Sequence, residues 1–308
     1  MTAAVAVDLG GSKTAAARVS ADGGIGEVLV APTPAADGPE AVLDTVTGLV
    51  ARLWDDHVVG VGVGTAGVVD PETATIVSAT DVFARWVGTN LADGVRGRLG
   101  LSGDTVVEVR NDADAHALGE SWLGAGRGRG SMLMVAVGTG VGGGVILPGG
   151  LWTGAHRLAG EVGHVPTPGA EDFRCPCGRL GHLEALAAGP AIERRYAELA
   201  EEVLPGPEIT ARAEAGDATA AFVVAAAATG LGTAIAGMVT LLDPACVVLG
   251  GGVAQAGPAW WTPLQAACRA TLVDLVADIP LLPAELGPRA ALFGAAKAVF
   301  DGVSVPTR

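Results

Sequence analysis

The chain has 308 residues, half of them hydrophobic and 17% charged, with a formal net charge of −14. This composition suits a globular protein of two domains, each able to bury a core, and excludes a disordered chain. No basic stripe is visible, which weighs against nucleic acid as a partner, because phosphate backbones demand clustered Lys and Arg.

The N-terminus enters a strand without a basic n-region, so no signal peptide is expected. Apolar segments such as Ala220–Ala228 are Ala-rich and too short to span a bilayer, so no membrane partner is expected. Four cysteines do not make a disulfide framework, which makes the cytoplasm the expected compartment.

Residues 3–9 are predicted as a strand, followed by a glycine loop and a return strand near 14–19. Asp22-Gly23-Gly24 predicts a hairpin turn into a third strand at 25–31. Apolar residues at helical spacing (Val42, Val46, Leu49, Val50, Leu53) predict a helix over Glu40–Trp54. A strand over Val58–Gly64 ends in the turn Gly64-Thr65-Ala66-Gly67. A helix is expected over 88–99, a strand over Thr105–Val109 and a helix over Ala113–Trp122. Residues 132–146 read as two buried strands joined by a glycine turn. The chain is then loop-rich from Pro148 to Gly181 and helical from Leu183 to about Val203. Two more helices are expected over 216–241, a short strand at Cys246–Leu249, a helix near 258–276 and a closing helix over Leu292–Phe300. Strand hairpins precede helices in each half, and the halves echo each other.

Two glycine hairpins lie about 130 residues apart. One holds Asp8, Gly10, Gly11, Ser12 and Lys13; the other holds Gly138, Thr139, Gly140, Gly142, Gly143 and Gly144. Glycine lets backbone N–H groups converge on an anion with no Cβ in the way. Two such hairpins suggest two halves gripping one phosphate chain, and so a nucleotide-dependent phosphotransferase. The chain has only two lysines, and Lys13 lies inside the first loop. Neither hairpin is a Walker A loop or a dinucleotide fingerprint, since each runs on into a strand where those motifs open a helix. Gly250-Gly251-Gly252 is a third glycine turn at a strand end, either a platform for a purine or a plain strand-to-helix turn.

Asn111-Asp112 closes a strand and opens a helix. Asp112 is either a general base, worth about 10²–10⁴ in rate, or an N-cap, a position that Asn and Asp favour. Asp114 competes for either role. Glu161 and Glu184 either hold sugar hydroxyls in a cleft or are solvated surface charges. Between them, His164, Cys175, Cys177 and His182 place four metal-ligand side chains within 19 residues. Two Cys and two His form a common closed tetrahedral zinc set, while a Cys175–Cys177 disulfide would be strained; two idle thiols are the alternative. Cys246 and Cys268 lie in apolar contexts and read as core. His116 and His156 carry no assigned role.

Taken in order, these segments resemble the ROK family (repressor, open reading frame, kinase) of sugar kinases over nearly the whole chain. Asp8-Leu-Gly-Gly-Ser-Lys-Thr is similar to the family's Asp-Ile-Gly-Gly-Thr-Lys phosphate loop. Gly64-Thr-Ala-Gly67-Val-Val-Asp70 looks like its Pro-Gly-Pro-Val-Asp turn on the sugar side. Asn111-Asp112-Ala-Asp-Ala matches Asn-Asp-Ala-Asn-Ala, and Glu161-Val-Gly-His164 matches Glu-x-Gly-His. The family's Cys-x-Cys-Gly-x-x-Gly-Cys-x-Glu is kept from Cys175 to Glu184, with His182 in place of the third Cys. Ala79-Thr80-Asp81 departs from the Ala-Thr-Asn usual in the family's glucokinases, and an ionised Asp81 accepts hydrogen bonds but donates none.

The resemblance implies an α/β protein with a two-domain actin-like (hexokinase/Hsp70-type) ATPase fold and a cleft between the domains. It implies an N-terminal sugar kinase domain over 1–115 plus 292–308, and a C-terminal domain over 116–291 with the zinc loop and nucleotide contacts. The implied activity is transfer of the γ-phosphate of ATP to a sugar hydroxyl, the 6-OH of glucose or an N-acetylhexosamine. The alternatives are another sugar, a cyclitol, or a non-catalytic sugar sensor. Asp112 is the implied catalytic base. Gly67, Asp81, Asn111, Asp112, Glu161, His164 and Glu184 are the implied sugar contacts. Asp8, Gly10, Gly11, Ser12, Lys13, Thr139, Gly140, Gly142, Gly143, Gly251 and Gly252 are the implied nucleotide contacts. ATP, Mg²⁺ near Asp8 and a structural Zn²⁺ on His164, Cys175, Cys177 and His182 are the implied cofactors, and a homodimer or homotetramer is the implied assembly. Loss of zinc is expected to disturb sugar binding more than the glycine loops.

Overall fold

A computed structural model describes residues 1–79 and 82–304. Its elements run β1 (Ala3–Leu9), β2 (Lys13–Ser20), β3 (Ile25–Pro32), α1 (Pro39–Leu53), β4 (Val58–Thr65), β5 (Val68–Asp70), β6 (Thr75–Ser78), α2 (Leu91–Leu99), β7 (Val106–Asn111) and α3 (Asp112–Leu123). The chain continues through β8 (Met132–Val137), β9 (Val141–Leu147), β10 (Gly150–Trp152), α4 (Glu184–Ala187), α5 (Gly189–Ala200), α6 (Gly206–Glu214), α7 (Ala218–Leu242), β11 (Val247–Gly250), α8 (Pro258–Thr271), β12 (Leu281–Pro283) and α9 (Ala290–Ser304).

Backbone contacts divide the chain into two units. The first comprises residues 1–128, 153–158 and the chain from Pro288 onward; the second comprises Arg129–Trp152 and Ala159–Gly287. The expected division at 115/116 and 291/292 would instead fall inside α3 and part most of it from α9, the helix it packs on. A Cβ added at Gly294 of α9 would overlap the Ala115 carbonyl of α3, and one at Gly119 of α3 would overlap the Ala290 carbonyl of α9. This near-backbone approach keeps both helices in the first unit. Residues 153–158 join the first unit, where Arg157 forms an ion pair with Asp70 of β5 at 2.8 Å.

Each unit is built on a five-stranded sheet, in the order β3-β2-β1-β4-β7 in the first and β10-β9-β8-β11-β12 in the second. In both, an antiparallel meander leads into parallel strands: β1 pairs antiparallel with β2 and parallel with β4, and β8 pairs antiparallel with β9 and parallel with β11. The echo seen in the sequence is thus an echo of topology. Parallel strands need crossovers, which the helices supply. The first core gathers Val5, Val7, Val61, Val63 and Val107 under Val42, Val46 and Val50 of α1. The second gathers Leu133, Val135, Val247 and Leu249 with Ile235 and Val239 of α7 and Leu264 of α8.

Several element boundaries differ from the sequence reading. The helix expected over 183–203 is two, because Ala188 is extended (ψ 153) and Pro190 sits in the first turn of α5. Proline lacks the N–H that a continuous helix would need there. Helix α6 opens on Gly206-Pro207, where proline at a helix start needs no N–H partner; the sequence reading passed over it. The two helices expected over 216–241 are the single α7. Its glycines do not break it: a Cβ at Gly232 would overlap the Leu264 carbonyl, so glycine there lets α8 pack close. By length and composition α7 could cross a membrane, contrary to the sequence reading, but most of its apolar stretch is buried inside the second unit.

Candidate active site and metal centre

In the first unit the turn between β1 and β2 is closed by the Gly10 amide donating to the Lys13 carbonyl at 3.1 Å. Ser12 and Lys13 are exposed at its tip. Asp8, one residue before the end of β1, pairs in register with Gly64 of β4. Beside β4, β7 ends on Asn111, opposite Thr65. The Asn111 side chain caps α3, accepting from the Ala113 amide at 2.8 Å and the Asp114 amide at 3.4 Å. Its own amide donates to the Gly67 carbonyl at 3.0 Å, and Gly67 holds φ 100, which favours glycine. Asn111 therefore ties the Gly67 turn to the helix start.

With the cap supplied by Asn111, Asp112 is the first residue of α3. One of its oxygens accepts from the Ala113 amide at 2.9 Å. Withdrawal from bulk water pushes the Asp112 carboxyl above the usual range, and His116 pulls it back. The residue as a whole keeps an exposed surface. Asp8 is also pushed up by burial and by Asp112, against the pull of His116 and Lys13. The fold thus groups Asp8, Lys13, Asp112 and His116. The sequence reading passed over His116, although its place four residues after Asp112 puts both on one helix face. Asp81 lies outside the described residues.

In the second unit the turn between β8 and β9 is closed by the Gly138 amide donating to the Gly140 carbonyl at 2.9 Å. Gly251, just after β11, has φ +87, and a Cβ there would overlap the Val137 carbonyl. A cavity of about 720 Å³ opens here, lined by Gly138, Thr139, Glu193, Gly252 and Gln255 among others. That volume lies within the range of small-molecule and cofactor sites. It brings Thr139 and Gly252 together, while Gly140, Gly142, Gly143 and Gly251 are not among its lining residues. Glu193, Thr210 and Gln255 also line the cavity and were missed, because they sit on α5, α6 and the turn after β11 with no motif to mark them. Gly143 faces inward: a Cβ would lie 2.5 Å from the Met134 carbonyl and 3.1 Å from the Gly160 carbonyl.

The loop from Val162 to Leu183 folds back on itself. A tight turn is closed by the Gly178 amide on the Cys175 carbonyl at 2.8 Å, and Pro166 bridges to His182. The fold brings His164, Cys175, Cys177 and His182 together, with one ligand atom of each within 4.8 Å of all the others. Cys175 Sγ lies 3.7 Å from His164 Nδ1, and Cys177 Sγ lies 3.2 Å from His182 Nδ1. Tetrahedral zinc with bonds of about 2.3 Å to S and 2.0–2.1 Å to N separates such ligands by about 3.5 Å. The donor set therefore fits that metal. Burial pushes the Cys175 thiol up to about 11, a cost that a bound cation would reverse. His164 Nε2 lies 3.8 Å from Glu161. Glu184 accepts from the Val141 amide at 2.9 Å.

The sequence profile of the ROK family matches residues 4–301. A glucokinase of Streptomyces coelicolor is 33% identical over 315 aligned residues, spanning 95% of this chain and 96% of its own. An N-acetyl-D-glucosamine kinase of Vibrio vulnificus is 31% identical over 235 residues, 73% of this chain and 75% of its own. The crystal structure of a ROK family glucokinase from Streptomyces griseus with glucose and AMPPNP is 32% identical, covers 97% of this chain and 100% of its own, and superposes with a TM-score of 0.81. By profile, sequence and fold, the chain belongs to the ROK family and has its actin-like ATPase fold.

Proposed function

We propose that the protein is an ATP-dependent hexose kinase that transfers the γ-phosphate of ATP to a sugar hydroxyl, the 6-OH of glucose or of an N-acetylhexosamine. The observation that carries this reading is Asp112 at the start of α3, released from capping by Asn111 and grouped with Asp8 and Lys13. A carboxylate at a strand end can take the proton of a hydroxyl as its oxygen attacks phosphorus. Its raised affinity for protons suits a base.

The exposed tip of the first hairpin and the cavity beside the second are assigned to the nucleotide. Lys13 offers a point charge to phosphate oxygens. Magnesium, when bound near Asp8, would offset charge on the β- and γ-phosphates. Glu161 and His164 Nε2 are assigned to sugar hydroxyls, while His164 Nδ1, Cys175, Cys177 and His182 would hold a structural zinc. With Nδ1 beside Cys175, Nε2 is the ring nitrogen beside Glu161. The reading carries with it a cytoplasmic setting and a homodimer or homotetramer.

The test is phosphorylation of a panel of hexoses, N-acetylhexosamines and cyclitols with ATP and magnesium. Sugar-dependent ADP release with a phosphorylated sugar as product is expected. Release of ADP unchanged by every sugar would overturn the reading.

A further inference from the structure

We propose that Glu184 is a positioning residue that ties the metal loop to the β8–β9 glycine hairpin, so that nucleotide affinity depends on that loop being folded. The inference rests on the reading of this hairpin as part of the nucleotide site. Glu184 follows His182 by two residues and opens α4. One of its oxygens accepts the Val141 amide at 2.9 Å, and the other lies 3.9 Å from Cys175 Sγ. A single side chain therefore touches both the hairpin and a metal-site cysteine.

The hairpin tip has a second tether in the same stretch, where the Gly189 amide of α5 donates to the Gly138 carbonyl at 2.8 Å. With the Gly138 and Val141 amides engaged, the tip offers the Thr139 and Gly140 amides to a phosphate. A Cβ at Gly140 would come within 2.7 Å of Glu184 Oε2. A side chain at 140 would thus have to displace the carboxylate from the tip, besides standing in the way of an incoming anion. A negative charge next to a phosphate site repels its ligand. A carboxylate bonded to a backbone amide instead fixes the turn through a charge-assisted hydrogen bond. A metal bound by His182 and Cys175 would fix the residues on either side of Glu184, and Glu184 places the tip through the Val141 amide.

The test measures binding of a non-hydrolysable ATP analogue by calorimetry, without sugar, alongside metal content by elemental analysis. Glu184→Ala is expected to weaken nucleotide binding about tenfold while keeping its metal. Glu184→Gln, whose amide oxygen still accepts the Val141 N–H, is expected to recover most of that loss. Stripping the metal from the wild-type protein is expected to weaken binding by a similar factor, and to add little in Glu184→Ala, since both changes break one chain of contacts. Unchanged nucleotide affinity in Glu184→Ala, with only the sugar KM raised, would overturn the tie and leave Glu184 a sugar contact. If Glu184→Ala does not fold, the metal-stripped wild type decides, and full nucleotide affinity there would overturn the tie. A wild-type protein that binds no nucleotide would overturn the hairpin reading itself.

Discussion

Asn111 and Asp112 are adjacent and chemically close, yet the fold separates their tasks. Either could cap α3; Asn111 does, and its amide also holds the Gly67 turn. Asp112→Asn should therefore leave the helix start and the sugar KM nearly unchanged while kcat falls by about 10²-fold or more, because an amide cannot take the proton. Steady-state kinetics at saturating ATP check this, and a variant keeping most of its kcat would remove Asp112 from the base role. The second hairpin's glycines divide in the same way. Gly143→Val would press a side chain into the Met134 and Gly160 carbonyls and should cost about 3 kcal/mol or more of stability, read by thermal unfolding. Gly140→Val meets a movable carboxylate. It should fold and raise the KM for ATP about tenfold, the scale of one charge-assisted hydrogen bond.

At the scale of elements, the loop at 161–184 is where the fold gathers four ligand-type side chains. Its ligand-type residues come from a short turn of helix at 162–164, a tight turn at 175–178 and the bridge at His182. An unfolded chain has no such preformed site, so metal binding contributes to folding. Purified protein should carry about one zinc per chain. Cys177→Ala should lose it, with protease cleavage appearing within 161–184, whereas His182→Cys should keep it. Elemental analysis reads all three, and zinc that survives His182→Ala unchanged would take His182 out of the set. The spacing of ligand-type residues made this cluster legible in advance. Its reach to the β8–β9 hairpin was not legible, because Glu184 and Val141 are 43 residues apart and nothing local marks the bond. The proposed tie through Glu184 adds a loss of nucleotide affinity to the expectation that loss of zinc disturbs sugar binding more than the glycine loops.

At the scale of the whole molecule, two sheets of matching strand order each carry their own core. In the first unit α9 packs against α3 with nearly touching backbones, through Gly294 and Ala115. Gly294→Val should therefore unfold the first unit preferentially, at a cost of about 3 kcal/mol or more. Limited proteolysis should then degrade residues 1–128 while a fragment spanning 159–287 persists. Equal loss of both units would mean that their stabilities are inseparable. By itself the sequence determined the strand–turn–strand halves, the glycine hairpins, the carboxylate at the β7 end and the cluster of ligand-type residues at 164–182. Each of these is written in local periodicity and spacing. Only tertiary structure decided that Asn111 and not Asp112 caps α3, that His116 joins Asp8 and Asp112, that 216–241 is one helix, and that α3 belongs with α9. Those outcomes depend on which backbone approaches which across long stretches of chain, and a missing Cβ permits an approach without saying what will make it.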